Sequence, residues 1–114
     1  MTVERTSVVD WLGIEKSSGH IVLTVVDDLD WNDKKHHLLA LQEKLNTYLA
    51  FIENGEVFER LAEEAKKTVE RSTPIKVSIL AKYPLPDEAR NFVDYAKERF
   101  RLAGFELLFK VVPE

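Results

Sequence analysis

Cysteine is absent from all 114 residues. That removes disulfides, thiol nucleophiles and cysteine-held metals together, and it suits a reducing compartment. Long apolar runs are missing too: none approaches the ~18 residues that a membrane-spanning helix needs. The opening stretch MTVERTSVVD lacks the apolar core of a secretory signal. A cytoplasmic chain with no membrane partner is therefore expected. Positive charge is in the minority, with 16 Lys and Arg against 20 Asp and Glu and a formal net charge of −4. Without a basic footprint, nucleic acid is not an expected partner. The pairs Lys34-Lys35 and Lys66-Lys67 are mixed with acids and read as solvated faces. The four glycines are dispersed, so the clustered glycines of a phosphate cradle are lacking. No cofactor motif and no nucleophile elbow is visible.

What is present is patterned. Hydrophobic residues make up 45% and charged residues 32%, a globular profile. The length predicts one domain over 1–114 with a single core. Residues 7–15 read as a half-buried strand containing Val8, Val9, Trp11 and Ile14. Ser17-Ser18-Gly19 turns it into a second strand, where Ile21, Leu23 and Val25 share one face. From 31 to 54 the period becomes helical, with Leu38, Leu41, Leu45, Tyr48, Leu49 and Ile52 on one stripe and Asn54-Gly55 as a stop. A narrower stripe of Phe58, Leu61, Ala62, Ala65 and Val69 predicts a second helix over 57–70. Residues 75–83 alternate, with Ile75, Val77, Ile79, Ala81 and Tyr83 on one side. Pro86, Asp87 and Glu88 open a helix that buries Ala89, Phe92, Val93, Ala96, Phe100 and Ala103 and stops at Gly104. A last strand carries Phe105, Leu107, Phe109 and Val111 on one face. The order β-β-α-(α)-β-α-β predicts an α+β two-layer sandwich of a four-stranded mixed sheet and helices.

The outward strand residues are not uniformly polar. Val22, Val26, Leu80, Leu108 and Val112 sit opposite the expected core residues. Either the 57–70 helix covers them or a protein partner does, self-association included.

The densest chemistry lies in VVDDLDWNDKKHHL, residues 25–38. Asp28, Asp30 and Asn32 match the start of an EF-hand loop. The match then fails, because Asp33 stands where glycine is needed and Leu39 where a bidentate glutamate is needed. Asp28, Asp30, Asp33 and His37 form a weak candidate metal cluster, and a metal-dependent enzyme built on it is the alternative function. Adjacent His36 and His37 diverge by ~100° on a helix and cannot easily share an ion. His20 lies roughly 26 Å away along an extended strand. His36 points away from the apolar stripe and His37 sits on its flank, so both are expected at the surface. Asp30 is the expected helix N-cap, with Asp33 three residues on. Asp27 and Asp28 are left as a charged strand end. Trp31 is either an anchor for the helix or an exposed contact.

The segments VVDWLGIEK, HIVLTVVDDLDW, LLALQEKLNTYLAFIENGE, AKYPLP and GFELLFKV, taken together, resemble a bacterial family of small proteins classed as a domain of unknown function. The resemblance runs over most of the chain and departs most in residues 57–74. It implies a cytosolic bacterial α+β domain and carries no catalytic residues with it. The leading functional expectation is a non-enzymatic interaction module or subunit.

Overall fold

A computed structural model describes residues 3–66 and 68–112. Lys67, read above with Lys66 as a solvated pair, lies outside the described residues. The chain forms β1 (Trp11–Ile14), β2 (Ile21–Asp27), α1 (Lys34–Glu53), α2 (Glu56–Glu64), β3 (Ile75–Ala81), α3 (Asp87–Leu102) and β4 (Glu106–Val111). The sheet order is β1-β2-β3-β4. β1 runs antiparallel to β2, whereas β2, β3 and β4 are mutually parallel. This is the expected mixed sheet in a compact α+β fold.

Alternation decides the layers. Ile21, Leu23, Val25, Ile75, Val77, Ile79 and Leu107 are buried in one cluster with Leu41, Leu45, Tyr48 and Leu49 of α1, Val57 and Leu61 of α2, and Val93, Ala96 and Phe100 of α3. All three helices therefore cover the same face. Each of these aliphatic side chains contributes roughly 1.5–3 kcal/mol by leaving water. Gly55 separates α1 from α2 at φ +84, and a Cβ there would come within 2.9 Å of Arg71 Nη1. The positive φ favours glycine at that turn, whereas the Arg71 tip, at the end of a flexible side chain, can shift aside.

Three expected elements are shorter or differently placed. The helix predicted over 57–70 ends at Glu64, and Lys66 turns out of it in the left-handed region at φ +54. Thr68 and Val69, β-branched, do not continue it. Tyr83 lies beyond the end of β3 and is exposed rather than on the core face. The strand predicted from residue 7 starts only at Trp11.

Residues 3–10 have another way of satisfying their backbone. Val3 and Val9 bury apolar side chains in the core, and the peptide groups between them are met by side chains of the helices. Lys44 is fully buried, and its ammonium donates to the carbonyls of Arg5 (2.8 Å) and Val8 (2.6 Å). Asp10 supplies the counter-charge 2.7 Å away, off the axis of a good hydrogen bond. Thr47 Oγ1 donates to the Thr6 carbonyl, and Arg60 Nη1 donates to that of Val9 at 2.9 Å. The Tyr48 hydroxyl accepts from the Asp10 N–H (3.0 Å) and donates to the Thr24 carbonyl (2.6 Å). The segment is thus a strap fastened by α1 and α2, not a strand.

Removing one partner of a buried ion pair strands the other, a loss of about 3–5 kcal/mol. Lys44→Ala should therefore lower unfolding free energy by about that much in urea denaturation. A loss below about 1 kcal/mol would mean that Val3 and Val9 alone hold the strap. Burial pushes the Tyr48 phenol up to about 12 from its ordinary 10.0. Its folded form keeps the proton longer than the unfolded chain, so its contribution is intact below pH 10 and is lost as pH rises from 10.0 to about 12. Phenolate absorbance should show one of the three tyrosines titrating late. Three coincident titrations near the ordinary value would contradict the buried hydroxyl.

Candidate functional site

Two features stand out from the core, one buried and polar, the other open and apolar. The buried one begins at Asp27, the last residue of β2. It keeps the inward parity of Ile21, Leu23 and Val25, so its carboxylate points under the helices. His37, in the first turn of α1, meets it there. His37 Nε2 lies 2.7 Å from both Asp27 oxygens, and both side chains are almost wholly buried. His37 Nδ1 lies 2.9 Å from the Asp30 carbonyl. That carbonyl can only accept, so Nδ1 carries a proton and a second proton lies between Nε2 and the carboxylate. Burial pushes the Asp27 carboxyl above its ordinary value, and the hydrogen bond and charge of His37 pull it part of the way back. Trp31 stacks on the imidazole with ring centroids 3.6 Å apart and planes 17° from parallel.

This geometry corrects the expected surface position of His37. It also decides what the pair can do. General acid–base catalysis and metal ligation both need a ring nitrogen that can face a substrate or an ion. Here both nitrogens are engaged by the protein itself. Asp27 Oδ1 also accepts the Leu29 N–H at 3.3 Å. The pair is a structural tie between the end of β2, the 28–33 loop and the start of α1.

The weak metal candidates do not converge. Asp28 is exposed. Asp30 accepts the Asn32 N–H through its carboxylate at 3.0 Å and holds His37 through its carbonyl. Asp33, not Asp30, is the N-cap of α1, accepting the His36 N–H at 3.1 Å. His36 is exposed as expected, 3.0 Å from Glu4. Among the described residues no group of three or more His, Asp or Glu side chains is placed to hold an ion.

The open feature is the other face of the sheet. Its residues are Trp11 and Gly13 of β1, Val22, Thr24 and Val26 of β2, Lys76, Ser78 and Leu80 of β3, and Glu106, Leu108 and Lys110 of β4, with Val112 just beyond. None belongs to the core cluster or packs against it. α2 places Val57 and Leu61 in the core on the opposite side, so it does not cover this face. Trp11 is 63% exposed, Leu108 39% and Val112 42%. Trp11, Gly13, Val22, Thr24, Val26 and Leu80 line a shallow groove of about 490 Å³. Five of the six expected surface residues thus share one face. Trp31 is the exception, since it stands in the loop against His37.

The sequence patterns leave Lys44 unremarked, read Asp27 as a charged strand end and Trp11 as half-buried; Lys44 and Asp27 are buried and Trp11 is exposed, and signals for each existed. Asp27 continues the inward alternation 21, 23, 25. His37 and Lys44 fall on the stripe of Leu41, Leu45 and Tyr48 at helical spacing. A charged residue inside an apolar stripe calls for a buried partner. Trp11 pairs with Thr24, whose parity is outward.

If the pair is a tie, His37→Ala should cost about 3–5 kcal/mol in unfolding free energy, because Asp27 stays buried without its partner. It should also alter Trp31 fluorescence by removing the stacked ring. Saturating zinc, manganese or calcium should leave the melting temperature of the unaltered chain where it was. A rise with any of them would show native-state binding and contradict the structural assignment.

Among the described residues no helix is long and apolar enough to cross a membrane. No curated protein and no solved structure matches the chain. A family model does match it over residues 1–113, and the chain belongs to that family, a family of unknown function designated DUF6572.

Proposed function

We propose that this chain is a non-enzymatic interaction module whose working surface is the open face of the sheet. One observation carries the reading: among the described residues no helix covers the outward face of the three parallel strands, where Val22, Val26, Leu80 and Leu108 stand among polar and charged side chains. Parallel strands are normally covered on both faces, because their crossovers place helices there and their residues are apolar on both sides. Here both crossovers lie on one side. Residues such as Val22, Leu80 and Leu108 then remain where a second layer would be expected. Trp11, Val22, Val26 and Leu80 line one groove on this face, and exposed apolar surface gathered in this way marks a contact more often than scattered residues do. The lack of cysteine and the resemblance to a bacterial family support a bacterial cytosol as its setting.

The reading predicts that the face is dispensable for folding. Leu80→Glu with Leu108→Glu should leave the unfolding free energy within the range of ordinary surface changes, about ±0.5 kcal/mol per site. The same variant should bind less of an environment-sensitive apolar dye than the unaltered chain. Unfolding of the double variant would show that the face belongs to the chain's own core, and the reading would fail.

A further inference from the structure

The Asp27–His37 pair ties the loop down in one protonation state only. His37 Nδ1 faces the Asp30 carbonyl at 2.9 Å, and Nε2 faces the Asp27 carboxylate at 2.7 Å. Both partners are acceptors, so both nitrogens must carry protons for both contacts to attract. Trp31 adds a third preference for the doubly protonated ring. Its ring centroid lies 3.6 Å from that of the imidazole, and the face of an indole attracts a cation.

Removing one proton leaves a choice between the two nitrogens, and the surroundings decide it. A buried carboxylate facing a bare nitrogen would lack both counter-charge and donor, which is the costlier arrangement. The remaining proton therefore stays on the Nε2 side, shared with Asp27 in a charge-assisted hydrogen bond. Nδ1 then sets a bare lone pair against the Asp30 carbonyl, and two acceptors 2.9 Å apart repel. What is undone is the hold on the loop, not the bond between β2 and α1. The Asp30 side chain cannot replace it, because a carboxylate is an acceptor too and this one is turned to the Asn32 N–H. The charged groups on the elements around the pair are Asp28 and Asp33 in the loop, Lys34, His36 and Lys44 on α1, Lys82 beyond β3 and Glu88 on α3. Lys34 lies 3.7 Å from Glu88, His36 3.0 Å from Glu4 and Lys44 2.7 Å from Asp10, while Asp33 caps the His36 N–H. Lys82 meets Asp27 through its backbone N–H, at the Asp27 carbonyl. None of these contacts involves a ring nitrogen of His37.

We propose that His37 is a pH-operated latch on the 28–33 loop, shut while its ring carries two protons and opened, with release of Asp30 and Trp31, when the Nδ1 proton is lost. The shut form binds one proton more than the open form, so it is favoured at lower pH and gives way as pH rises. The latch goes beyond the contact role of the sheet and does not depend on it. Its position still links the two. Asp28, the first residue of the loop, lines with Val26, Leu80 and Val112 a hollow of about 240 Å³ at the end of the open face. Opening the loop reshapes that end.

Magnetic resonance of the imidazole nitrogens and the backbone amides, from about pH 5 to about pH 10, tests this across and beyond the ordinary histidine range. Tyr48, which titrates at about 12, keeps its proton throughout. At the acid end both His37 nitrogens should carry protons. As pH rises, Nδ1 should lose its proton while Nε2 keeps its own. In the same step the amides of residues 30–32 should shift and the nuclear Overhauser contacts between the Trp31 and His37 rings should fade, while the amides of β3 stay in place. Asp27→Asn separates a latch from general loosening. The new amide can donate to Nε2 of a neutral ring, which leaves Nδ1–H on the Asp30 carbonyl. The loop should then stay shut over the whole range. Loop amides that move equally with pH in Asp27→Asn overturn the proposal. So does a loop that stays still in the unaltered chain when Nδ1 loses its proton, and so does a ring that keeps both protons to the alkaline end. If Asp27→Asn does not fold, the unaltered chain decides, through the order of proton loss and whether the loop moves with it.

Discussion

The buried ammonium of Lys44 sets constraints that reach the far side of the sheet. A charge placed there must be met by oxygens, and the strap supplies them through the Arg5 and Val8 carbonyls and Asp10. Once residues 5–10 are committed to α1 in this way, their backbone cannot also pair with β2. The first strand therefore begins at Trp11. The Tyr48 hydroxyl joins the Asp10 N–H to the Thr24 carbonyl and so fixes where that strand enters the sheet. Trp11 then falls opposite Thr24, on the outward parity. A buried lysine on one side of the molecule thereby determines that the largest exposed ring on the sheet stands on the other.

The Asp27–His37 pair illustrates how residue types suggestive of catalysis serve a structural end. An aspartate and a histidine in contact resemble the orienting half of an acid–base site. In such a site the second ring nitrogen is kept for the substrate. In this chain that nitrogen is spent on the Asp30 carbonyl, and Trp31 lies across the ring. What the arrangement provides is a fixed exit from β2 and a fixed entry to α1. That matters because the 28–33 loop is organised by the side chains of Asp27, Asp30 and Asp33 through short turns and a cap.

Much of the fold was legible in the sequence, for a simple reason. Elements whose apolar period is long and regular, such as 21–27, 34–53, 75–81 and 87–102, bury one face, and periodicity records burial directly. The failures occur where side chains replace regular backbone pairing. Val8 and Val9 read as strand because β-branched residues favour extended backbone. The sequence window around them contains no sign of Lys44, Thr47 and Tyr48, which lie far along the chain and take up their peptide groups. The early end of α2 was similarly hidden, since Ala62 and Ala65 look like core positions but stand exposed.

The candidate site was half legible, and the division is instructive. Outward apolar residues follow from parity alone, so Val22, Val26, Leu80, Leu108 and Val112 could be gathered on one face before any coordinates. The buried dyad needs two parities read together, that of a strand and that of a helix, against the rule that polar residues are ordinarily exposed. The face itself offers none of the signs that sequence reading usually relies on. It has no liganding cluster, no nucleophile and no excess charge. Its pattern lies in relative position: Trp11 stands one strand away from the Val22–Thr24–Val26 strip, and Ser78 one strand away on the other side. Such a pattern acquires meaning only when register is known, because a slip of one residue would send every one of these side chains to the opposite face.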